Sequence, residues 1–287
     1  MDQKYIDLYD EFTHGNMGRR KFLERLAGLA GGTALAAALL PVLENNYASA
    51  QTVKTDDDRL KTSRIEYDGV SGKVKAYRAM PANSTGKIGG VIVIHENRGL
   101  NAHIEDVARR AALAGFIAVA PDALSPLGGT PDDQDKARGM FRDLDREKTV
   151  GDFVAGIKYL KSLDGCNGNV GCVGFCWGGG MANQMAVHAP DLKAAVAFYG
   201  SQPNAEDVPK IKAKLMLHYA GLDTRIDAGI PDFEKALKAA KTDYQLFMYE
   251  GVNHAFHNDT SESRYNEAAA KLAWSRTIEF LKKTLNA

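Results

Sequence analysis

A cysteine, an aspartate and a histidine in this sequence each follow a short apolar run and could together perform nucleophilic chemistry. Cys176 follows the run 170–175 and lies in the pattern Gly174-x-Cys-x-Gly178-Gly, with a helix-like segment after it. A sharp turn from a strand into a helix exposes a reactive side chain, and flanking glycines avoid crowding in such a strained backbone. The amides at a helix N-terminus favour a thiolate over a thiol. The pattern therefore predicts that Cys176 is a nucleophile.

The other two side chains come later in the chain and in an informative order. Asp223 follows the apolar run 213–219, and His254 follows the run 244–249. Open α/β sheets build their sites at the carboxyl ends of the strands, so we expect both side chains to lie beside the cysteine. The order nucleophile, acid, histidine predicts a Cys-His-Asp triad. Asp227 competes for the role of the acid, but Asp223 lies closer to its strand.

Other interpretations of the cysteines and histidines stay open at this point. Cys176 could be a small buried cysteine in a glycine turn, or a redox thiol paired with Cys172 or Cys166, although the chain has no Cys-x-x-Cys. Cys166 and Cys172 could also pair with each other. His218 lies inside a strand pattern and is expected in the core. Surface or helix positions are expected for His14, His103 and His188.

The composition limits the class of protein and its partners. The chain has 287 residues, with 36 basic and 36 acidic side chains and a formal net charge of zero. This length suits one domain with an extension, and no basic stripe indicates a nucleic-acid partner. Three cysteines cannot form a disulfide framework, and no Cys/His cluster has the spacing of zinc ligands. We therefore predict no structural metal.

The segment 1–50 has the features of an export signal rather than of a folded domain. Arg19 and Arg20 form a twin-arginine pattern, an uncharged apolar stretch follows at 26–43, and residues 48–50 form a small-x-small cleavage signal. We predict a Tat-like signal that is cut after Ala50. The Tat export machinery would then be a partner, and the protein would be periplasmic or secreted without stable membrane insertion. The alternative is an uncleaved helical extension or anchor on a cytoplasmic protein.

The rest of the chain reads as a linker over 51–60 and one domain over 61–287. An antiparallel pair at a sheet edge is predicted over 62–68 and 72–80. Continuous apolar runs predict buried parallel strands at 91–94, 116–120, 170–175, 194–199, 213–219 and 244–249. Helical patterns lie between them at 102–114, 149–163 and 231–240, and a long one at 264–285 ends the chain. Asn101 is suited to cap the first of these. The alternation predicts the α/β class, with a doubly wound, mostly parallel sheet and helices on both faces.

From residue 88 onward the chain resembles the dienelactone hydrolase family (carboxymethylenebutenolidases) of the α/β-hydrolase superfamily. The resemblance is carried by His-Glu-Asn-Arg-Gly at 95–99, Ala-Pro-Asp at 120–122, Gly-Phe-Cys-Trp-Gly-Gly at 174–179, Gly-Leu-Asp at 221–223, His-Ala-Phe at 254–256 and residues 273–281. It implies the α/β-hydrolase fold and a triad that hydrolyses a small ester or lactone through a thioester. It implies no cofactor. A non-catalytic binding protein of the same fold is the alternative.

The resemblance also implies roles for residues around the triad. Glu96 would help to form the thiolate as substrate binds. The backbone amides of Asn97 and Trp177 would form the oxyanion hole, in line with the general rule for this kind of turn.

The substrate is where the chain departs from the family. The family holds the dienelactone carboxylate with two arginines, and this chain has Leu-Ser-Pro at 124–126 and His257 with Asn258 at the corresponding places. Arg98 and His257 are the candidate substrate-binding residues, with Arg225 as a further candidate. The reaction class is therefore predicted more firmly than the substrate.

Overall fold

The computed structural model describes residues 1–49 and 52–286 and contains one eight-stranded sheet. The strands are β1 (Leu60–Asp68), β2 (Lys73–Pro81), β3 (Ile88–Ile94), β4 (Ile117–Pro121), β5 (Cys166–Phe175), β6 (Ala194–Phe198), β7 (Lys214–Ala220) and β8 (Tyr244–Tyr249). Their order across the sheet is β1-β2-β4-β3-β5-β6-β7-β8. Only β2 runs antiparallel to its neighbours, and all other pairs are parallel. The predicted mostly parallel sheet with an antiparallel edge pair is confirmed.

Helices cover both faces of this sheet, as the alternating pattern predicted. The helices are α1 (Gln3–His14), α2 (Arg19–Ala30), α3 (Thr33–Leu43), α4 (Ala102–Leu113), α5 (Gln134–Met140), α6 (Arg146–Lys161), α7 (Trp177–His188), α8 (Thr224–Asp227), α9 (Ile230–Ala240) and α10 (Glu267–Leu285). One apolar core joins the sheet to α6, α7 and α9. A second core joins the other face to α4 and α10. The central strands are buried on both sides, which explains why they read as unbroken apolar runs.

Local capping sets the helix boundaries. The Asn101 side chain accepts hydrogen bonds from the amides of His103 and Ile104, so α4 begins where the sequence predicted. The last helix begins later than expected, at Glu267 rather than Arg264. The reason is that Asn266 adopts an extended backbone and caps the helix by accepting from the amide of Ala269.

Residues 1–49, here called the N-terminal cap, are folded against the rest of the chain rather than lying outside the fold as the sequence suggested. The helices α1, α2 and α3 share a small apolar cluster of their own, which includes Tyr9, Phe12 and Phe22. No single helix of the described residues is long and apolar enough to cross a membrane, while Arg19–Ala30 together with Thr33–Ser49 passes that test only as a pair bent by 114°. The predicted cleavage point after Ala50 lies outside the described residues.

The described part of the predicted linker is docked on α4. The Val53 amide donates to Asp106 Oδ1 at 2.7 Å, and Arg109 Nε donates to the Val53 carbonyl at 2.8 Å. Val53 itself is buried in the second core. Residues near position 53 therefore belong to the folded domain, because a buried Asp-Arg pair holds their backbone.

Candidate active site

Cys176 lies in a tight turn between β5 and α7 that only its neighbouring glycines permit. Its backbone has φ 57° and ψ −115°, a conformation that costs energy for a residue with a Cβ. A Cβ at Gly174 would lie 1.9 Å from the Gly178 carbonyl oxygen, and one at Gly178 would lie 2.5 Å from the His95 carbonyl oxygen. The glycines thus allow the turn to close, and the turn holds the thiol at the carboxyl edge of the sheet.

Two further loops at the same edge bring an aspartate against a histidine. Asp223 follows β7 and His254 follows β8, and Asp223 Oδ2 lies 2.5 Å from His254 Nδ1. Both side chains are buried. Burial acts to raise the pKa of Asp223, but the charge of His254 and the hydrogen bond outweigh it, so the pKa stays below its usual value. The rival aspartate, Asp227, makes no such bond, and burial followed by the charge of Asp223 raises its pKa to about 6.

His254 presents its other ring nitrogen toward Cys176. Nε2 is buried and has no hydrogen-bond partner among the described residues. The candidate ligand atoms of Cys176, His254 and His14 all lie within 4.8 Å of one another. Burial lowers the pKa of His254 most strongly, but the charges of Cys176 and then Asp223 more than offset this and raise it to about 10. The surroundings of His254 therefore favour its protonated ring, the imidazolium.

Two residues of this site were not recognised in the sequence. His14, expected at the surface, ends α1 with its Nδ1 3.9 Å from Cys176 Sγ and its ring edge-on to His254. Burial above all, and then the charge of His254, hold the pKa of His14 well below its usual value. Tyr199 packs its ring 4.9 Å from that of His254, and its buried hydroxyl has no partner among the described residues. Tyr199 directly follows β6, so the strand-end rule could have found it; nothing local in the sequence indicates His14.

The residues expected around the triad fall into two groups. Asn97 and Trp177 line a cavity of about 330 Å³ together with Cys176 and His254. Neither of their backbone amides donates to an acceptor within 1–49 or 52–286, so both are available to a ligand. Glu96 is buried, and its Oε2 accepts from Asn258 Nδ2 at 2.7 Å instead of from the thiol.

A sequence profile described as the dienelactone hydrolase family matches residues 74–285. The chain belongs to this family. A Saccharolobus solfataricus protein, provisionally named a carboxymethylenebutenolidase, is 34% identical over 257 residues, covering 76% of this chain and 97% of that protein. An Escherichia coli protein with the same provisional name is 31% identical over 246 residues, covering 80% of this chain and 90% of its own length. These relatives indicate a hydrolase that acts on an ester or lactone.

The solved structures agree with the fold. A crystal structure from Klebsiella pneumoniae, provisionally named a dienelactone hydrolase, superposes with a TM-score of 0.70 at 26% identity and covers 77% of this chain and 97% of its own. A second profile, described as YqhI-like, matches residues 1–31, within the N-terminal cap.

Neither of the two candidate substrate-binding residues predicted for this chain, Arg98 and His257, lines the cavity. Arg98 is buried under α1, where Nη2 donates to the Tyr9 hydroxyl at 3.0 Å. His257 is buried and stacked on Phe175, with ring centroids 4.9 Å apart. Arg225 does line the cavity, although its guanidinium is half exposed. The chain turns His257 into the core after His254, so its role in substrate binding stays a prediction.

The cysteines of the described residues are unpaired, and one of them lies in a group that could bind a metal ion. All three cysteines are buried and free, so Cys166 and Cys172 are not paired in this structure. Burial raises the pKa of Cys172 well above its usual value, which makes it an unreactive thiol. A thiolate and two imidazoles are ligands that suit zinc, and His14, Cys176 and His254 are the group in the described chain that could offer them.

Proposed function

We propose that this dienelactone hydrolase family member is a cysteine-dependent hydrolase that cleaves a small ester or lactone through a thioester. The observation that carries the proposal is the 2.5 Å contact of Asp223 Oδ2 with His254 Nδ1, which leaves Nε2 without a partner among the described residues, in a ring that lies within 4.8 Å of the thiol of Cys176. A nucleophile whose base is oriented by a third group is the arrangement that covalent acyl transfer needs.

In the first half-reaction the Cys176 thiolate attacks the carbonyl carbon and forms the carbon–sulfur bond. The carbonyl oxygen gains negative charge, which the amides of Asn97 and Trp177 stabilise, each by about 3 kcal/mol. The imidazolium of His254 gives its proton to the oxygen of the leaving alcohol as the carbon–oxygen bond breaks. In a lactone the alcohol stays attached to the acyl chain. The product of this step is a thioester and a neutral imidazole.

In the second half-reaction water replaces the alcohol. Neutral His254 takes a proton from a water molecule, and the resulting hydroxide attacks the thioester carbon. The carbon–sulfur bond breaks, which returns the thiolate and the imidazolium. Asp223 keeps Nδ1 protonated and stabilises the positive ring throughout. We place activated esters and lactones above amides, because an amine is a harder leaving group.

For Glu96 we propose a supporting role rather than direct contact with the thiol. Its Oε2 is bonded to Asn258, while Oε1 is buried and has no partner in the described residues. A buried oxygen without a partner is free to respond when a ligand or water enters.

The test is Cys176→Ala and His254→Ala in hydrolysis of a panel of chromogenic esters and lactones. Both variants should lose at least about 10³-fold in kcat/KM, since the members of a catalytic unit act together. Cys172→Ala is the matched control, because it removes a buried thiol from β5, the strand that leads to Cys176, on the other face of the sheet. Mass spectrometry of rapidly quenched enzyme should detect the acyl group on Cys176. Unchanged turnover in either active-site variant contradicts the mechanism.

We also propose that the chain is exported by the Tat route, on the sequence features at 18–50 alone. Cell fractionation with intact-mass measurement tests this: an exported product that begins at Gln51 supports the proposal, and a full-length cytoplasmic product contradicts it.

A further inference from the structure

The N-terminal cap lies over the active site, and side chains of the hydrolase domain bind its first helix there. We infer that the hydrolase domain carries a binding surface for α1, and that α1, seated there, acts as an intramolecular inhibitor of Cys176. This inference rests on the proposed function, since it takes Cys176 as the nucleophile. Nothing in the triad chemistry requires the cap.

The end of α1 occupies the space in front of the thiol. His14 contacts Cys176 and lies edge-on to His254, with ring centroids 4.5 Å apart. Residues 13–16 form one wall of the cavity that holds Cys176. The backbone amide of Asn97 is an expected oxyanion donor. The side chain of the same residue is bonded to the cap, since its Nδ2 donates to the Thr13 carbonyl at 2.8 Å. A substrate that approaches from this side meets α1 first.

Arginines of the hydrolase domain hold α1 in this position. Arg264 Nη1 donates to Asp10 Oδ1 at 3.1 Å, and this arginine is almost fully buried beneath the cap. Arg138 donates to the Phe12 carbonyl at 3.0 Å and lies 4.3 Å over the Phe12 ring. Arg98 also donates to Tyr9 of α1. The planar, charged guanidinium groups of the three arginines therefore bind an acidic and aromatic stretch of α1. Such donor sets recognise specific peptide segments.

The boundary between cap and domain is suited to opening. The apolar cluster of the cap contains only residues up to Leu43, and neither core of the hydrolase domain contains a residue before Val53. Polar interfaces between separately cored units permit relative motion. When α1 moves away, water can hydrate the guanidinium groups of Arg98, Arg138 and Arg264. Hydrogen bonds to water then replace the bonds that these groups make to α1. Each unit therefore keeps its own core in the open state.

The consequence is an equilibrium between a closed chain and an open one. Substrate binds only the open fraction, so the observed kcat/KM is lowered by that fraction. Any change that weakens the α1 contacts should raise activity and expose the thiol. Removal of the cap, by export processing or by a protease, would do the same.

The experiment measures access to the thiol separately from catalysis, in the full-length chain. Asp10→Asn weakens the ion pair with Arg264, and His14→Gly removes the ring that faces Cys176. Asp7→Asn is the matched control: it makes the same change one turn away on α1, where the carboxylate is exposed and bonded to Gln3 within the same helix. A fourth protein carries a protease site inserted between Ser49 and Thr52 and is cut after folding. For each, the rate of iodoacetamide modification at Cys176 is followed by peptide mass spectrometry, together with kcat/KM for a chromogenic ester.

Asp10→Asn should speed thiol modification and ester hydrolysis on the order of tenfold, because it weakens a pair with one buried partner. His14→Gly should speed thiol modification to a similar extent. The cut chain should show a larger gain, while Asp7→Asn should change by less than about twofold, as exposed groups usually do. Equal modification rates in all four proteins and the wild type overturn the inference. If modification speeds up but no protein hydrolyses any ester, the inhibitory contact stands and the proposed function fails. If esters are cleaved while the modification rates stay equal, the proposed function stands and the inhibitor fails.

Discussion

Replacement of Asp223 by asparagine tests the central contact of the proposed triad. The change removes the charge that lies 2.5 Å from His254 Nδ1 and keeps the size of the side chain. An asparagine can also offer its amide group to the ring, which favours the wrong tautomer of the histidine. We expect the variant to fold and to lose most of its activity.

The magnitude follows from the electrostatics of the histidine. The rise of the His254 pKa from 6.5 to about 10 corresponds to a net preference for the imidazolium of about 5 kcal/mol. Asp223 is the second of the two groups that produce this rise, after Cys176. Truncation of one partner in a buried charge pair typically costs about 2–5 kcal/mol. We therefore expect kcat/KM to fall roughly 30- to 5,000-fold in Asp223→Asn.

The assay is steady-state hydrolysis of a chromogenic ester, with thermal unfolding measured on the same samples. Asp227→Asn is the matched control, since it makes the same change four residues away at a carboxylate that does not bond His254. It should retain activity within about threefold, as a site outside the catalytic unit would. The reasoning is refuted if Asp223→Asn keeps comparable activity, or if the two variants lose activity equally without unfolding.

Three further predictions concern the effect of pH on activity, its effect on stability, and the turn at Cys176. Since His254 has a raised pKa of about 10, the proton donor persists at neutral pH, and kcat/KM should fall as pH rises through about 10; a rate that instead rises through pH 6.5 would show a neutral histidine base. The raised pKa of His254 also makes the stability of the fold depend on pH. The contribution of the His254–Asp223 ion pair to the free energy of unfolding is fully present below pH 6.5 and is lost as the pH rises from 6.5 to about 10. Unfolding measured as a function of pH tests this. Gly174→Ala should destabilise the fold by at least about 3 kcal/mol, because the new Cβ would lie 1.9 Å from a backbone oxygen. Gly139→Ala is the control: its Cβ would enter open space on α5, so the change should be neutral or slightly stabilising. Thermal unfolding measures both. Equal melting temperatures for the two alanine variants would contradict the steric argument.

Local patterns predicted the elements of this fold well. The strand over Tyr244–Tyr249 has the expected bounds, and α4 begins at its predicted cap. Both depend on interactions within a few residues, such as a side chain that caps the next turn or an apolar run that must be buried on both faces. The start of α10 was predicted too early, because the apolar pattern does not show that Asn266 is extended and caps the helix.

The contacts of the N-terminal cap show what sequence patterns do not reveal. Its twin arginines and apolar stretch favour an export signal, and this stays a prediction, but they do not indicate which residues the cap contacts. In the structure Arg19 bonds Asp135, and Arg264, far along the chain, bonds Asp10. Contacts between residues so distant in the chain are decided by packing, which composition does not encode.

The sequence by itself determined which residues stand at the carboxyl ends of the strands, because strand patterns and their order along the chain are local properties. It thereby supplied a cysteine, an aspartate and a histidine at one edge of a parallel sheet. Only the tertiary structure decided that Asp223 rather than Asp227 reaches His254, that His257 turns into the core, and that His14 comes to Cys176. These outcomes depend on loop geometry and on the meeting of separate segments, since differences of a few ångströms select one side chain over its neighbour.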